Sequence, residues 1–532
     1  MSTTPAIPSS LSLHGLRLVV TAIDLEQSEH RGIAVYSKGV LRALKRAGAE
    51  VWLLTQFDPP MNDLRSRRIP KTTADTVFYA RVLEGLNTGH RHLAQMSLRQ
   101  RVLRALPIVN QWVPPVLRAR RSKLNTLFPQ RRYPSRSLKC LPIRELLDNP
   151  YLQTERLDYL LNVDGLICAD DIFVNSFRLA NQKPGEMLEI DLQGFDGLIT
   201  TCPLQIRPTN PTVFIQTVHD LIPLEYVQTS DHVPGFARRL RSCAPAGRLF
   251  VSSATQRKFN ASILPTAMEG AEHHSKVLIQ SPSLQFPGDA LDWEAQMPSL
   301  KINAEGKERL QTLQPGGYLL FNSSVEPRKN LLFALRAYVE SGIERHGIRF
   351  CITGMLKKDG YSAAVSRLVS GHKSILLTGY VDEATKRHLY LNALALVSPS
   401  LVEGFGIPVL DAACLGLTAI ASPSASHQEI QALHDFDQHV LLCSTLQTSD
   451  WASAMRLVTL KQEQEQTDLG PQALRRQLTR LRSERILRYR RYQQLIDQSF
   501  DTTICELVQA ESGTATHSHT SRTRQMAPRP AT

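Results

Sequence analysis

The sequence lacks several features that would assign it to whole classes of protein. Its eight cysteines form no Cys-x-x-Cys pair and no Cys/His cluster at zinc spacing, so neither a disulfide framework nor a structural metal is expected. No apolar run reaches the roughly 18 residues of a membrane span. The first twenty residues also lack the basic and apolar regions of a secretory signal. We therefore expect a cytoplasmic protein.

Acidic residues are scarce between Met61 and Arg144. This segment has 18 Lys and Arg against three acids, a net charge of +15, whereas the whole chain carries +13. Within it, residues 91–113 have the spacing of a basic amphipathic helix, which fits an anionic membrane surface and an ordinary surface helix equally well. Nucleic acid is not expected as a partner, because no aromatic residues alternate with these charges. The cytoplasmic face of the membrane is thus a second expected location.

Predicted strands and helices alternate in two separate series along the 532 residues. The first begins with an apolar strand at 16–25, and the second begins with a strand at 318–325. Strand–helix–strand order of this kind predicts a parallel sheet covered by helices on both faces. The predicted divisions are an N-terminal domain at 1–275 with a basic insertion at about 57–194, a connection at 276–315, a C-terminal domain at 316–510 and a disordered tail at 511–532.

The stretch SLVEGFGIPVLDAACLG at 400–416 combines two carboxylates with a glycine turn. Glu403 ends a predicted strand, and Asp411 lies on the helix that follows. The turn presents backbone N–H groups at a helix N-terminus, where α/β sheets bind phosphate, and carboxylates accept hydrogen bonds from sugar hydroxyls. The pattern therefore suits a ligand with both groups. On its own, it more often marks a solvated loop acid and an acid that complements the helix dipole.

Three further motifs place polar or small residues at the ends of predicted strands. Arg328 and Lys329, in SSVEPRKN, follow a strand of the second series, where two cations can neutralise a diphosphate without a metal ion. His219, in TVHDLIP, ends a strand of the first series. Gly32 precedes a helix and allows close approach of backbone to a ligand. Individually, such residues are more often surface charges, structural histidines or ordinary turns.

Together and in this order, the motifs TVHDLIP, EPRKN and EGFGIPVLDA resemble the retaining glycosyltransferases of family 4, over about 16–56 and 195–440. The resemblance implies the α/β GT-B architecture, in which two Rossmann-like doubly wound parallel-sheet domains face a cleft. It also implies transfer of a sugar from a nucleotide diphosphate sugar to a glycan or lipid-linked glycan, without a metal ion or bound cofactor. TVHDLIP is similar to mannosyltransferase-like members, which favours mannose.

The same resemblance implies roles for individual residues. Glu403 contacts the transferred sugar, His219 faces it from the N-terminal domain, and Arg328 with Lys329 binds the diphosphate. The other donor-binding positions are Gly32 beside the diphosphate or acceptor, Tyr380 and Val381 near the base, Gly404, Phe405 and Gly406 at the sugar and phosphate, and Asp411 at the ribose. The chain departs from the family pattern at Asp411, normally Glu, and at Ala34, normally Gly.

Two other classes of protein fit parts of this pattern. A nucleotide-sugar epimerase on the same two-domain scaffold also binds phosphate, and a non-catalytic sugar- or nucleic-acid-binding protein could use the basic insertion. The joint presence of EPRKN and EGFGIP favours transfer, since a binding protein has no need of Glu403, Arg328 and Lys329 together. The sequence does not identify the donor base, the sugar or the acceptor.

Overall fold

The computed structural model describes twelve ranges of the chain. They are residues 12–27, 30, 32–59, 69–89, 129–146, 155–182, 185–228, 232–266, 273–293, 299–306, 309–467 and 469–524. The predicted basic amphipathic helix at 91–113 and the residues from 525 onward lie outside them. In the described part of the chain, no helix combines the length and apolar character needed to cross a membrane.

The N-terminal domain is built on a main sheet of eight strands and a small sheet of three. Its strands are β1 (Arg17–Thr21), β2 (Glu50–Thr55), β3 (Arg132–Tyr133), β4 (Lys139–Pro142), β5 (Gly165–Cys168), β6 (Leu188–Ile190), β7 (Gly197–Thr200), β8 (Ile206–Pro208), β9 (Val213–Val218), β10 (Gly247–Phe250) and β11 (Ser275–Val277). The main sheet has the order β11-β10-β9-β7-β1-β2-β5-β4, and the small sheet is β3-β6-β8. All neighbours in the main sheet are parallel except β4 and β5.

Helices cover both faces of the main sheet, which is why its inner strands are apolar along their length. Every residue of β9 is buried, for example. Helix α1 buries an apolar stripe that includes Tyr36, Val40 and Leu44. The helices of this half are α1 (Gly32–Arg46), α2 (Lys71–Thr88), α3 (Ile172–Gln182), α4 (Ile222–Glu225), α5 (Val233–Arg241), α6 (Ser253–Ser262) and α7 (Ala290–Trp293).

The C-terminal domain has the doubly wound order of dinucleotide-binding folds. A hairpin of β12 (Leu300–Ile302) and β13 (Gln311–Leu313) precedes it. Its six parallel strands are β14 (Tyr318–Asn322), β15 (Arg349–Thr353), β16 (Ile375–Gly379), β17 (Ala395–Ser398), β18 (Ala419–Ala421) and β19 (Val440–Leu442). They lie in the order β16-β15-β14-β17-β18-β19, so the chain reverses direction between β14 and β17. Ligands of such sheets bind beyond the carboxyl ends of the strands at this switch point.

The remaining helices cover this sheet and return to the N-terminal domain. They are α8 (Leu331–Ser341), α9 (Gly360–Gly371), α10 (Glu383–Asn392), α11 (Ile407–Leu415), α12 (Ala425–Gln431), α13 (Thr448–Gln466) and α14 (Pro471–Arg524). Helix α14 joins the two domains, because Tyr489 packs in the C-terminal half while Asp501 pairs with Arg46 of α1 at 2.7 Å. The predicted class and arrangement are confirmed: this is an α/β chain of the GT-B type.

Two predicted boundaries differ from the structure. The region 57–194, predicted as an insertion, contributes β4 and β5 to the main sheet, since the short apolar run at 165–168 is a buried strand. The tail predicted to be disordered from Glu511 begins as helix. The carboxylate of Glu511 is only 4% exposed and lies 3.1 Å from His273 Nδ1 and 3.2 Å from His274 Nδ1, which fixes this part of α14 on the N-terminal domain.

Candidate active site

A cleft of about 700 Å³ lies between the two domains. Its N-terminal wall comes from residues that follow β1, β7 and β9, and its C-terminal wall comes from the turn after β14 and the loop after β15. The polar residues that line it are Asp24, Gln27, Cys202, His219, Asp220, Tyr226, Gln228 and Arg239 on one side, and Glu326, Arg328, Lys357 and Asp359 on the other. The carboxyl ends of the two sheets therefore face the same space.

The predicted cationic pair and Glu403 meet at the switch point of the C-terminal sheet. Arg328 and Lys329 lie in a 3₁₀ turn directly after β14, and Glu403 lies in the loop after β17. Lys329 Nζ is 2.5 Å from Glu403 Oε1, and Arg328 Nη1 is 3.7 Å from Glu403 Oε2. Arg328 lines the cleft, while the side chains of Lys329 and Glu403 are 8% and 7% exposed beside it.

The cations around Glu403 decide its charge. Burial alone raises the pKa of a carboxyl group, but Lys329, His427 and Arg328 outweigh burial and lower the pKa of Glu403 to about 2. Burial lowers the pKa of Lys329, and the attraction of Glu403 opposes that effect. Glu403 is therefore an ionised, fixed carboxylate at neutral pH.

Glu326 holds two cations at the C-terminal wall. Its Oε2 accepts a hydrogen bond from Arg328 Nε at 3.1 Å, and its Oε1 accepts one from Lys357 Nζ at 2.6 Å. Neither Glu326 nor Lys357 is among the site residues predicted from the sequence. Glu326 belongs to the quoted EPRKN motif, but Lys357 follows β15, and only the sheet order brings that loop beside the turn after β14. The wall thus presents Arg328 and Lys357 to the cleft.

The glycine loop before α11 lies against the N-terminal domain. Gly406 has a φ of 96°, a left-handed conformation that favours glycine. Ser426 Oγ lies 3.0 Å from the carbonyl oxygen of Gly404 and 3.2 Å from that of Glu403, which fixes the loop. A Cβ on Gly404 would lie 3.0 Å from Asp220 Oδ2, so this position touches the opposite wall. The side chain of Phe405 packs into the core instead.

His219 occupies the predicted place at the end of β9. Its Nε2 donates a hydrogen bond to the carbonyl oxygen of Thr201 at 2.7 Å, and its ring meets Tyr36 edge-to-face with centroids 5.1 Å apart. Burial lowers the pKa of His219 to about 4. The imidazole that lines the cleft is therefore neutral at neutral pH, with Nδ1 as its hydrogen-bond acceptor.

Gly32 lies where the two domains touch. It begins α1, and a Cβ at this position would lie 2.6 Å from Cδ1 of Ile407, the first residue of α11. Gln280 Nε2 also donates a hydrogen bond to the Gly32 carbonyl oxygen at 2.9 Å. The structure thus brings Gly32 to the glycine loop of the opposite domain, and its predicted place beside the diphosphate or acceptor stays a prediction.

The structure does not bring Asp411 to the cleft. It lies in the middle of α11 and is fully buried. Its Oδ1 accepts hydrogen bonds from Ser283 N at 2.6 Å and Tyr489 Oη at 2.9 Å, while Oδ2 accepts one from Ser283 Oγ. Burial raises the pKa of this carboxyl group. Both oxygens are directed into the protein, which corrects the expectation that Asp411 shares a crevice with Glu403.

Tyr380 and Val381 also lie away from the residues that line the cleft. They follow β16, which is the edge strand of the C-terminal sheet, and Tyr380 is 53% exposed while Val381 packs partly against the core. Their proposed contact with a base stays a prediction. Within the described ranges, no group of three His, Cys, Asp or Glu side chains is placed to hold a metal ion.

Comparison with known proteins gives a curated relative and several solved structures with a similar fold. Over 117 residues the chain is 32% identical to O-antigen chain mannosyltransferase B of Escherichia coli, a stretch covering 21% of this chain and 30% of that protein. The chain thus matches less than a third of the length of this curated relative.

Two solved structures are similar across most of the chain. Sucrose-phosphate synthase from Thermosynechococcus elongatus has a TM-score of 0.46 and 12% identity, over 92% of this chain and all of that one. Anabaena Alr3699/HepE in complex with UDP has a TM-score of 0.44 and 10% identity, over 94% of this chain and all of that one. Neither likeness is close enough to assign a substrate.

A family model described as glycosyl transferases group 1 matches residues 316–459. This range begins just before β14 and includes Arg328, Lys329 and Glu403. The match supports an enzyme of the glycosyltransferase class. It is thus the C-terminal domain, with the charged cluster at its switch point, that matches the glycosyl transferases group 1 family.

Proposed function

We propose that the protein is a retaining glycosyltransferase of family 4, which moves a sugar from a nucleotide diphosphate sugar to a glycan or lipid-linked glycan. The observation that carries this proposal is the cluster of Arg328, Lys329 and Glu403 beside the interdomain cleft. A diphosphate needs positive charge, and a sugar needs fixed hydrogen-bond acceptors. The cluster supplies both at the switch point of a doubly wound sheet.

In the proposed reaction, the bond between the sugar and the nucleoside diphosphate breaks while the bond to the acceptor hydroxyl forms on the same face. Negative charge develops on the leaving diphosphate, where Arg328 and Lys329 stabilise it. The acceptor hydroxyl gives its proton to the leaving phosphate. Glu403 orients the sugar, and the neutral His219 accepts a hydrogen bond from it across the cleft.

Mannose is the first sugar to test. TVHDLIP resembles mannosyltransferase-like sequences, and the curated relative that matches 117 residues of the chain is described as O-antigen chain mannosyltransferase B. We propose a donor reaction without a metal ion, in which Arg328, Lys329 and Lys357 stabilise the diphosphate.

The test is donor turnover in the presence of EDTA. The full chain is incubated with GDP- and UDP-sugars, and release of the nucleoside diphosphate and the fate of the sugar are followed. Release of nucleotide with a free or transferred sugar supports the proposal. An epimerised nucleotide sugar would indicate the epimerase, and strict dependence on Mg²⁺ or Mn²⁺ would contradict the metal-free reaction.

We also propose that the basic stretch at 91–113 docks the protein on the anionic cytoplasmic face of the membrane, where a lipid-linked acceptor lies. This stretch lies outside the described residues, so the proposal rests on its sequence. Flotation with liposomes of graded anionic lipid content tests it. Binding at low salt that is lost on deletion of 91–123 is expected, and binding unaffected by the deletion would contradict it.

A further inference from the structure

The N-terminal wall of the cleft carries a carboxylate that the sequence analysis did not single out. Asp24 follows β1, and Thr201 directly follows β7. In the main sheet the chain runs outward in opposite directions from β1 and β7, so these neighbouring strands form the switch point of the N-terminal domain. Asp24 and Thr201 therefore lie where open α/β sheets bind ligands.

Thr201 fixes one oxygen of Asp24. The backbone N–H of Thr201 donates a hydrogen bond to Thr21 Oγ1 at 3.0 Å, and the Thr201 hydroxyl donates one to Asp24 Oδ2 at 2.8 Å. Among the described residues, Asp24 has no other hydrogen-bond partner. The side chain is half-buried at the cleft wall, which leaves Oδ1 accessible from the cleft. One oxygen is thus positioned, and the other is available to a ligand.

The surroundings of Asp24 suit a ligand with hydroxyl groups. Burial raises the pKa of Asp24 to about 7, an environment typical of binding and catalytic carboxyl groups. A carboxylate accepts a hydrogen bond from a hydroxyl, and the protonated form can also donate one. The side chain can therefore hold a hydroxyl group in either state.

The rest of this wall combines ring faces with polar groups. The guanidinium of Arg239 lies 4.2 Å from the ring centroid of Phe177 and 5.3 Å from that of Phe236. Gln27 and Gln228 add amide groups to the same wall. A sugar ring offers hydroxyls to carboxylates and amides, and C–H faces to aromatic rings, which is the mixture that ligand sites of this kind use.

The two walls differ in the charge that they present. The N-terminal wall carries the carboxyl groups of Asp24 and Asp220 against one cation, Arg239, whose guanidinium stacks on aromatic rings. The C-terminal wall carries Arg328 and Lys357 together with the acids Glu326 and Asp359. Carboxylates repel a phosphate or a second carboxylate but accept hydrogen bonds from neutral hydroxyls. The N-terminal wall therefore favours an uncharged group over an anionic one.

We propose that Asp24 binds a hydroxyl group of the acceptor sugar, and that the N-terminal wall selects acceptors whose reacting end is uncharged. This inference rests on the proposed function, because it needs a donor sugar on the opposite wall. Asp24 positions the acceptor and takes no part in the cleavage of the donor. Loss of Asp24 should thus affect transfer to a sugar but not transfer to water.

The experiment separates these two reactions in the full chain. Asp24→Ala and Asp24→Asn are compared with the unmodified protein on the donor that it hydrolyses in EDTA. The uncharged probes are methyl mannoside, methyl glucoside and methyl N-acetylglucosaminide, and the charged probes are methyl glucuronide and methyl galacturonide. Nucleotide release without a probe gives hydrolysis, and mass spectrometry of the glycosides gives transfer.

For Asp24→Ala we expect kcat/KM for transfer to an uncharged probe to fall about 10- to 100-fold, the loss typical of a hydrogen bond to a charged group. Donor hydrolysis should change less than about twofold. Asp24→Asn keeps the contact with Thr201, so it should fold like the unmodified protein. If Asp24→Ala does not fold, Asp24→Asn alone tests the role of Asp24. It should also lose transfer selectively, since its free amide group replaces the accessible oxygen.

Several results would overturn the inference. For Asp24→Asn, these are an equal fall of transfer and hydrolysis, or unchanged transfer. For the unmodified protein, they are products from the charged probes alone, or donor hydrolysis without a product from any uncharged probe. Absence of any donor turnover in the unmodified protein would instead contradict the proposed function, and this inference with it.

Discussion

The loop before α11 and the middle of α11 carry acidic residues only eight positions apart, yet their environments are opposite. Glu403, in the loop, lies beside Lys329 and Arg328, and these cations lower its pKa. Asp411, in the helix, accepts hydrogen bonds from the neutral donors of Ser283 and Tyr489. Burial raises its pKa and outweighs the opposing charge of Lys386. One carboxylate faces charged groups at the cleft, and the other fastens three distant segments of the chain.

This difference shows what decides the role of an acid in a motif. The spacing of the two carboxylates predicts a loop followed by a helix, but it does not predict which neighbours the fold brings to each. The partners of Glu403 come from the turn after β14, whereas those of Asp411 come from the interdomain connection and from α14. We therefore predict a chemical role for Glu403 and a structural role for Asp411.

The largest expected effect on activity comes from removal of a cation beside Glu403. Arg328→Ala should lower kcat/KM for donor turnover by about 10²- to 10³-fold, since removal of one preorganised donor to developing charge costs about 2.7–4 kcal/mol. The matched control is Lys358→Ala, which removes an exposed cation near the cleft and should have little effect. Steady-state kinetics measures both, and unchanged kcat/KM in Arg328→Ala would remove Arg328 from the site.

The next effect concerns the buried carboxylate of Asp411 and the stability of the fold. Asp411→Ala leaves the donors of Ser283 and Tyr489 without a partner, so we expect the free energy of unfolding to fall by roughly 3 kcal/mol. Tyr489→Phe leaves the carboxylate bonded to Ser283, but it removes one donor to Asp411 and the acceptor of the Leu284 backbone N–H, so it should cost about 2 kcal/mol. Urea unfolding of the two variants measures the difference. Equal stability of Asp411→Ala and the unmodified protein would show that Asp411 is not a structural anchor.

A third buried carboxylate, Glu26, extends the comparison to the pH dependence of stability. Burial raises the pKa of Glu26 to about 7, although Thr55 and Gln56 donate hydrogen bonds to it and nearby Asp24 raises its pKa further. The folded state thus holds a proton that the unfolded state has lost, and stability falls as pH rises from about 5 to 7.5. The share of Glu26 in this loss is roughly 2 kcal/mol.

Glu26→Gln should remove that share, because an amide does not titrate. The Gln56 amide can turn over to accept a hydrogen bond from the new amide group, so the variant should fold normally. Asp24 titrates in the same range and retains its own contribution of similar size. Unfolding free energies at pH 5 and 7.5 measure the change, and identical pH dependence in both proteins would contradict the raised pKa of Glu26.

Much of the fold follows from the sequence because the strands are buried on both faces and read as apolar runs. The order of motifs also predicts Arg328, Lys329 and Glu403 at the ends of strands. Other features depend on tertiary contacts. The strand predicted at 16–25 ends at Thr21, and this early end exposes Asp24 in a loop, while β5 is too short to be read as a sheet strand.

The site is predictable where a residue directly follows a strand, and it is not where a side chain depends on a partner far along the chain. His219 and Gly32 lie where their motifs predict. Asp411 does not, because its oxygens accept hydrogen bonds from Ser283 and Tyr489, which lie 128 and 78 residues away in the sequence. Neither partner lies in a motif, so the sequence alone does not predict these hydrogen bonds.

The most direct test of the account places Glu403→Gln and Asp411→Asn side by side. Each replacement keeps the size of the side chain and removes its charge, and each variant is measured for donor turnover in EDTA and for its free energy of unfolding. We expect Glu403→Gln to lose at least about 100-fold in kcat with a smaller change in stability, and Asp411→Asn to keep its turnover. Normal turnover in Glu403→Gln, or a selective loss of turnover in Asp411→Asn, would contradict the assignment of chemistry to Glu403.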